Sequence, residues 1–138
     1  MTADLVALAE RVEALDGPDR GVDHLLVAAL GWQYMSHEFW RKPDGKTAST
    51  PPAYTASLDA VTALIAEKLP GWQIEQMTWE PVKNGRVTAS IGNFGEGDAY
   101  RMGEGIAEKP ALALLAAALR ALGEQHERAP QPHAARLR

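Results

Sequence analysis

The chain alternates between helical and extended hydrophobic periods in well-separated blocks. Leu5, Leu8, Val12 and Leu15 recur at helical spacing, with Glu10, Arg11 and Glu13 on the outside and Thr2 or Asp4 placed to cap the start. Gly17-Pro18 predicts the stop, the glycine free to take a left-handed cap and the proline unable to continue. Asp19 is placed as the N-cap of a second helix whose stripe is Val22, Leu25, Leu26, Ala29 and Leu30, ended by Gly31. Two short helices joined by Gly-Pro-Asp form a hairpin whose apolar stripes need a surface to sit on.

Residues 32–41, W-Q-Y-M-S-H-E-F-W-R, are rich in aromatics and read as one extended strand or a tight pair of short ones. Residues 42–52 shift to Lys, Pro, Asp, Gly, Thr and Ser and read as a loop. A third helix starts at Thr55 or Ser57, carries Leu58, Val61, Ile65 and Leu69 on one face, and ends at Pro70. Two strands over 72–82 and 86–94 then flank Lys83-Asn84-Gly85, and Asn-Gly between such runs is the strongest short hairpin signal. Val87, Ala89 and Ile91 share a face, whereas Trp72 and Ile74 differ in parity from Met77 and Trp79. Either a bulge near Glu75-Gln76 or cover on both sheet faces explains that switch, and the supply of helices favours cover on both faces. Residues 95–105 read as a glycine-rich turn, a short strand around 99–102 and a second turn.

The last helix, 110–122, is the organising element. It has no polar side chain between Ala111 and Leu119, so it must be covered around most of its circumference. The run is well short of the roughly 20 apolar residues of a membrane span. Cover comes from the sheet, from other helices or from a second copy of the chain, so a homo-oligomer through this apolar helix surface is one expectation. The expected class is α/β of the α+β type, in the order α-α-β-α-β-β-β-α. Its small, mainly antiparallel three- to four-stranded sheet carries helices as a helix–sheet–helix sandwich. One domain spans 1–123, and 124–138 is expected to be a flexible polar tail.

Composition narrows function mainly by exclusion. With 138 residues, one domain is the expectation. A net charge of −4 gives no general attraction to nucleic acid or anionic lipid. The absence of cysteine removes disulfides, thiolate metal sites and cysteine nucleophiles, and fits a reducing cytoplasm. Asp4 and Glu10 stand where an export signal needs a basic start and an unbroken apolar centre. The glycines at 95, 97, 103 and 105 fit neither a dinucleotide fingerprint nor a phosphate loop, and Glu96, Asp98, Glu104 and Glu108 would repel a phosphate, so they read as turn glycines. The histidines at 24, 37, 126 and 133 lack metal spacing, and His24 is expected to be partly buried and hydrogen-bonded. No cofactor, metal or catalytic signature is present, and an enzyme stays a lesser reading.

The most site-like cluster is aromatic: Trp32, Tyr34, Phe39 and Trp40, followed by Arg41 and Lys42, with His37 a further candidate contact. Tyr, Trp and Arg are enriched at binding hot spots, while core packing under the first two helices is the competing account. The acidic turn with Glu96, Tyr100, Arg101 and Glu104 comes next. A local basic patch of Arg41, Lys42, Lys46, Lys83 and Arg86 keeps nucleic acid as a minor alternative. The closing α-β-β-β-α order resembles a double-stranded-RNA-binding domain, but that family's lysine cluster at the final helix entry is here Lys109 between acidic neighbours.

Five blocks carry a closer resemblance: G-P-D-R-G-V-D (17–23), A-L-G-W (29–32), P-P-A-Y-T-A-S-L-D-A (51–60), L-P-G-W (69–72) and K-P-A-L-A-L-L-A-A-A-L-R-A-L (109–122). In that order, over about 4–122, they resemble the phage ABA sandwich domain family. Residues 80–105 and the tail depart from it. The resemblance implies a helix–sheet–helix sandwich and a phage-encoded accessory protein in the cytoplasm of an infected or lysogenic host. It supplies no established activity and no catalytic residues to carry over; together with the lack of catalytic motifs it gives the expectation of action by binding a host or phage macromolecule, counter-defence included.

Overall fold

A computed structural model describes residues 2–36, 39–80, 85–94 and 100–128. The class is α+β, with helices packed on antiparallel sheet in the expected element order. The helices are α1 (Thr2–Glu13), α2 (Arg20–Ala29), α3 (Leu58–Lys68) and α4 (Pro110–Arg128). Three two-residue strands, β1 (Gln33–Tyr34), β2 (Trp40–Arg41) and β3 (Thr47–Ala48), form one small sheet in the order β1-β2-β3. The main sheet is β4 (Gln73–Glu80), β5 (Arg86–Phe94) and β6 (Tyr100–Ala107), in the order β4-β5-β6.

Asp19 and Ser57 cap α2 and α3 as their side chains allow, accepting from the backbone N–H of Val22 and Ala60 at 3.1 Å each. Gly31 takes the left-handed conformation after α2, at φ +98°. Gly17 does not, since α1 already ends at Glu13 and a turn follows. The 32–41 segment is the tight pair, closed by Met35 N–H donating to the Phe39 carbonyl at 2.9 Å. The loop expected at 42–52 contributes β3, turned on Gly45 at φ +90°.

The core is built on α4. Its residues 111–119, 121 and 122 are all buried within one chain. The side facing the sheet is alanine: Ala113, Ala116, Ala117 and Ala121 lie against Gly103 and Gly105 of β6. By the helical repeat, Leu112, Leu115, Leu119 and Leu122 fall on the opposite side, where α1 and α3 pack on α4. The layers therefore run from sheet to α4 to outer helices. This cover removes the reason for seeking a partner copy on α4.

Three expectations change. The parity switch in β4 is a bulge: the register with β5 shifts between Ile74 and Gln76. After the bulge, Met77 and Trp79 join Ile74 on the α4 side, and Gln73, Gln76 and Glu104 on the other side are exposed. The preferred explanation, cover on both faces, is thus replaced by the bulge. Second, Gly103 and Gly105 are strand rather than turn residues, because β6 continues to Ala107 and only glycine lets α4 sit so close. Third, α4 runs to Arg128, into the segment expected to be tail.

Candidate functional site

The aromatic segment folds onto α2. Trp40, on β2, is buried and forms the floor, with the Trp32, Tyr34 and His24 ring centroids at 6.5, 5.3 and 5.7 Å. The Tyr34 and Trp32 rings meet it edge-on, the arrangement aromatic quadrupoles favour. Tyr34 remains 59% exposed. Arg41 is exposed, whereas Lys42 is half-buried with Nζ 5.6 Å from the Trp32 ring centroid, a cation–π contact. The cluster divides residue by residue: Trp40 is core, and Tyr34 and Arg41 are exposed.

Arg20, His24, Tyr34, Trp40, Ser49 and Thr50 line a cleft of about 510 Å³. Its polar wall is fixed by a network the sequence reading did not anticipate. Asp23, fully buried, accepts from Arg20 Nη1 and from Thr55 N–H at 2.9 Å each. Arg20 Nη2 donates to Thr50 Oγ1 at 2.7 Å and to the Pro51 carbonyl at 2.8 Å. Thr55 Oγ1 in turn accepts from Asp19 N–H at 2.8 Å. A carboxylate without water is tolerated because an opposite charge and a backbone donor replace its hydration. The network ties G-P-D-R-G-V-D (17–23) to P-P-A-Y-T (51–55). Thr55 and Asp23 are 32 positions apart, so no local pattern announces their bond.

His24 is exposed, contrary to expectation, and is hydrogen-bonded: Nδ1 lies 2.6 Å from the Arg20 carbonyl oxygen. A carbonyl only accepts, so Nδ1 carries the hydrogen and Nε2 is the open ring atom. Tyr54, on the chain between cleft and α3, is buried. Burial, then the negative charges of Glu67 and Asp23, push its phenol up to about 12.

The second predicted cluster lies elsewhere, on the main sheet. Glu104 of β6 is exposed and Arg101 is half-buried, while Tyr100 begins that strand. Glu96 and His37 lie outside the described residues, as does Lys83 of the basic patch. Arg86 is on the main sheet and Arg41 on the small one, and Arg86 Nη2 donates to the Glu13 carbonyl at 2.6 Å and to the Ile106 carbonyl at 3.3 Å. Among the described residues, no group of three acidic, histidine or cysteine residues is placed to hold a metal ion.

Glu13, expected to point outward, anchors α1 instead. Its carboxylate takes two hydrogen bonds from Arg120, at 2.6 and 2.7 Å, and one from Ile106 N–H at 2.9 Å. Burial raises this carboxyl, but those hydrogen bonds and the charges of Arg120 and Arg86 outweigh it and hold it below its ordinary range.

The fold and site define an α+β protein with a helix-filled core and a half-open aromatic cleft at one end of α2. Compared with protein-family models, curated proteins and solved structures, the chain matches none. Among the described residues, no helix is long and apolar enough to cross a membrane.

Proposed function

We propose that the protein acts by binding a macromolecule, as a phage-type accessory protein, and that Tyr34, Trp40, Arg41 and the adjoining cleft make the contact. The observation that carries this reading is Tyr34, 59% exposed yet held edge-on against a buried tryptophan. A large ring already ordered by its floor loses little further freedom on binding, which is how hot-spot aromatics contribute most. Arg41 beside it adds an exposed planar cation suited to a carboxylate on a protein partner. The phage assignment rests on the family resemblance alone.

The test compares capture from a phage-infected host lysate by the wild-type chain and by Tyr34→Ala/Arg41→Glu, both changes being on exposed side chains. A protein recovered with the wild type and lost from the folded double variant supports the reading. Equal recovery by both overturns the site. Nucleic acid is the alternative outcome, read by gel shift with duplex RNA and DNA at low salt.

A further inference from the structure

The two edges of the main sheet are finished differently. On β6, side chains take up the outer backbone groups. Arg120 donates to the Glu104 carbonyl at 2.8 Å, Glu13 accepts from Ile106 N–H at 2.9 Å, and Arg86 donates to the Ile106 carbonyl at 3.3 Å. These charged caps close that edge to any further strand. On β4, no strand pairs the outer side among the described residues. Instead this edge carries exposed Ile74 and Trp79, at 44% and 63%, with half-buried Met77 between them on the same face. The Trp79 indole leans over Gly85, where a Cβ would come within 3.3 Å of Nε1.

We propose that β4 pairs antiparallel with β4 of a second copy about a two-fold axis at Thr78, joining the two main sheets into one. The sequence of β4 selects both the partner and the register. The bulge between Ile74 and Gln76 leaves 76–80 as the regular run, and its midpoint is Thr78. An axis there sets Thr78 against Thr78, Met77 against Trp79, and Gln76 against Glu80. The two inner pairs are favourable across strands: hydroxyl with hydroxyl and thioether with indole. The neighbouring registers each carry a fault. An axis at Gln76 or Met77 runs the pairing through the bulge, and one at Trp79 or Glu80 carries it past Glu80, where β4 ends. The strand is therefore complementary to its own copy. This surface is separate from the aromatic cleft, and its test is independent of the partner proposed there.

Sedimentation and oxidative cross-linking of the full chain decide the matter. A short edge pairing of this kind predicts a dimer forming at roughly ten to a hundred micromolar, toward twice the 14.9 kDa protomer mass. Thr78→Lys sets two ammonium groups against each other, and Trp79→Lys replaces the thioether–indole pair on the other face with a charge opposite Met77 of the second copy. Each is expected to weaken dimerisation at least ~tenfold with an unchanged circular dichroism spectrum. Because the chain has no cysteine, Thr78→Cys provides a clean probe, expected to cross-link much faster than the control Ser49→Cys. A chain that stays monomeric throughout that range overturns the proposal. So does a dimer that survives both lysine variants, or a control that cross-links as fast as Thr78→Cys.

Discussion

Gly105 lies directly beneath the carbonyl of Ala113, so closely that a Cβ on Gly105 would overlap that oxygen and come within 2.8 Å of the Ala116 Cβ and the Ala117 nitrogen. Two backbones approach where neither a strand nor a helix normally allows it. Gly105→Ala is expected to cost about 3 kcal/mol or more, the upper range for overpacking, because backbone must move. Gly17→Ala, with open space around it and no positive φ, should cost under ~0.5 kcal/mol. Urea unfolding of the two variants checks the contrast.

Asp23 is the most committed polar group of the chain, with no solvent contact. Asp23→Ala strands the Thr55 N–H and one face of Arg20, and is expected to destabilise by about 3 kcal/mol. Arg20→Ala should cost at least as much, since it leaves the Asp23 carboxylate buried without its counter-charge, whereas Arg20, with a 46% exposed side chain, can regain water when Asp23 is removed. A double-mutant cycle should show positive coupling between them, measured by thermal or chemical unfolding.

The Glu13 carboxyl titrates below its ordinary 4.5 in the folded chain. The unfolded chain therefore takes up this proton first as pH falls. The stabilisation is complete above about pH 4.5 and is lost as pH drops through the lower folded value. Wild type minus Glu13→Gln stability, followed from pH 6 to pH 3, should shrink toward the acid end. A difference that stays flat contradicts the assignment.

Tyr54 behaves in the opposite sense. Its phenol ionises near 10 when unfolded and near 12 when folded, so its contribution is intact below pH 10 and drains away between 10 and 12. The full shift corresponds to a loss on the order of 2 to 3 kcal/mol at the alkaline end. Tyr54→Phe should flatten this limb in alkaline unfolding curves.

Trp40 and Tyr34 should separate core from contact. Trp40→Ala removes the floor of the aromatic cluster and is expected to cost about 3 kcal/mol. Tyr34→Ala, on an exposed ring, should change stability by less than about 1 kcal/mol while weakening any partner bound at the cleft. Unfolding curves for both variants provide the first half of that comparison.

The candidate site was half legible. The aromatics from Trp32 to Trp40 stand out because large rings concentrate in a short polar stretch. Arg20, Ser49 and Thr50 did not, since each is an ordinary surface residue until the 49–51 chain is folded back over α2. The repeated charge pattern of the first helix placed Glu13 outside. Arg120, 107 positions away, and the Ile106 N–H, 93 positions away, explain its inward turn.

What the linear chain determined was element type and order, through hydrophobic periods of 3.6 and 2, the caps Asp19 and Ser57, and a final helix too apolar to face water. Those signals are local, carried by neighbours a few residues apart. Only the tertiary structure decided that Gly103 and Gly105 belong to a strand under α4, that the parity switch in β4 is a bulge, and that Asp23 and Glu13 are drawn inward. Each of those outcomes depends on a partner far along the chain, and the free energy of a close approach or a buried charge exists only once that partner is in place.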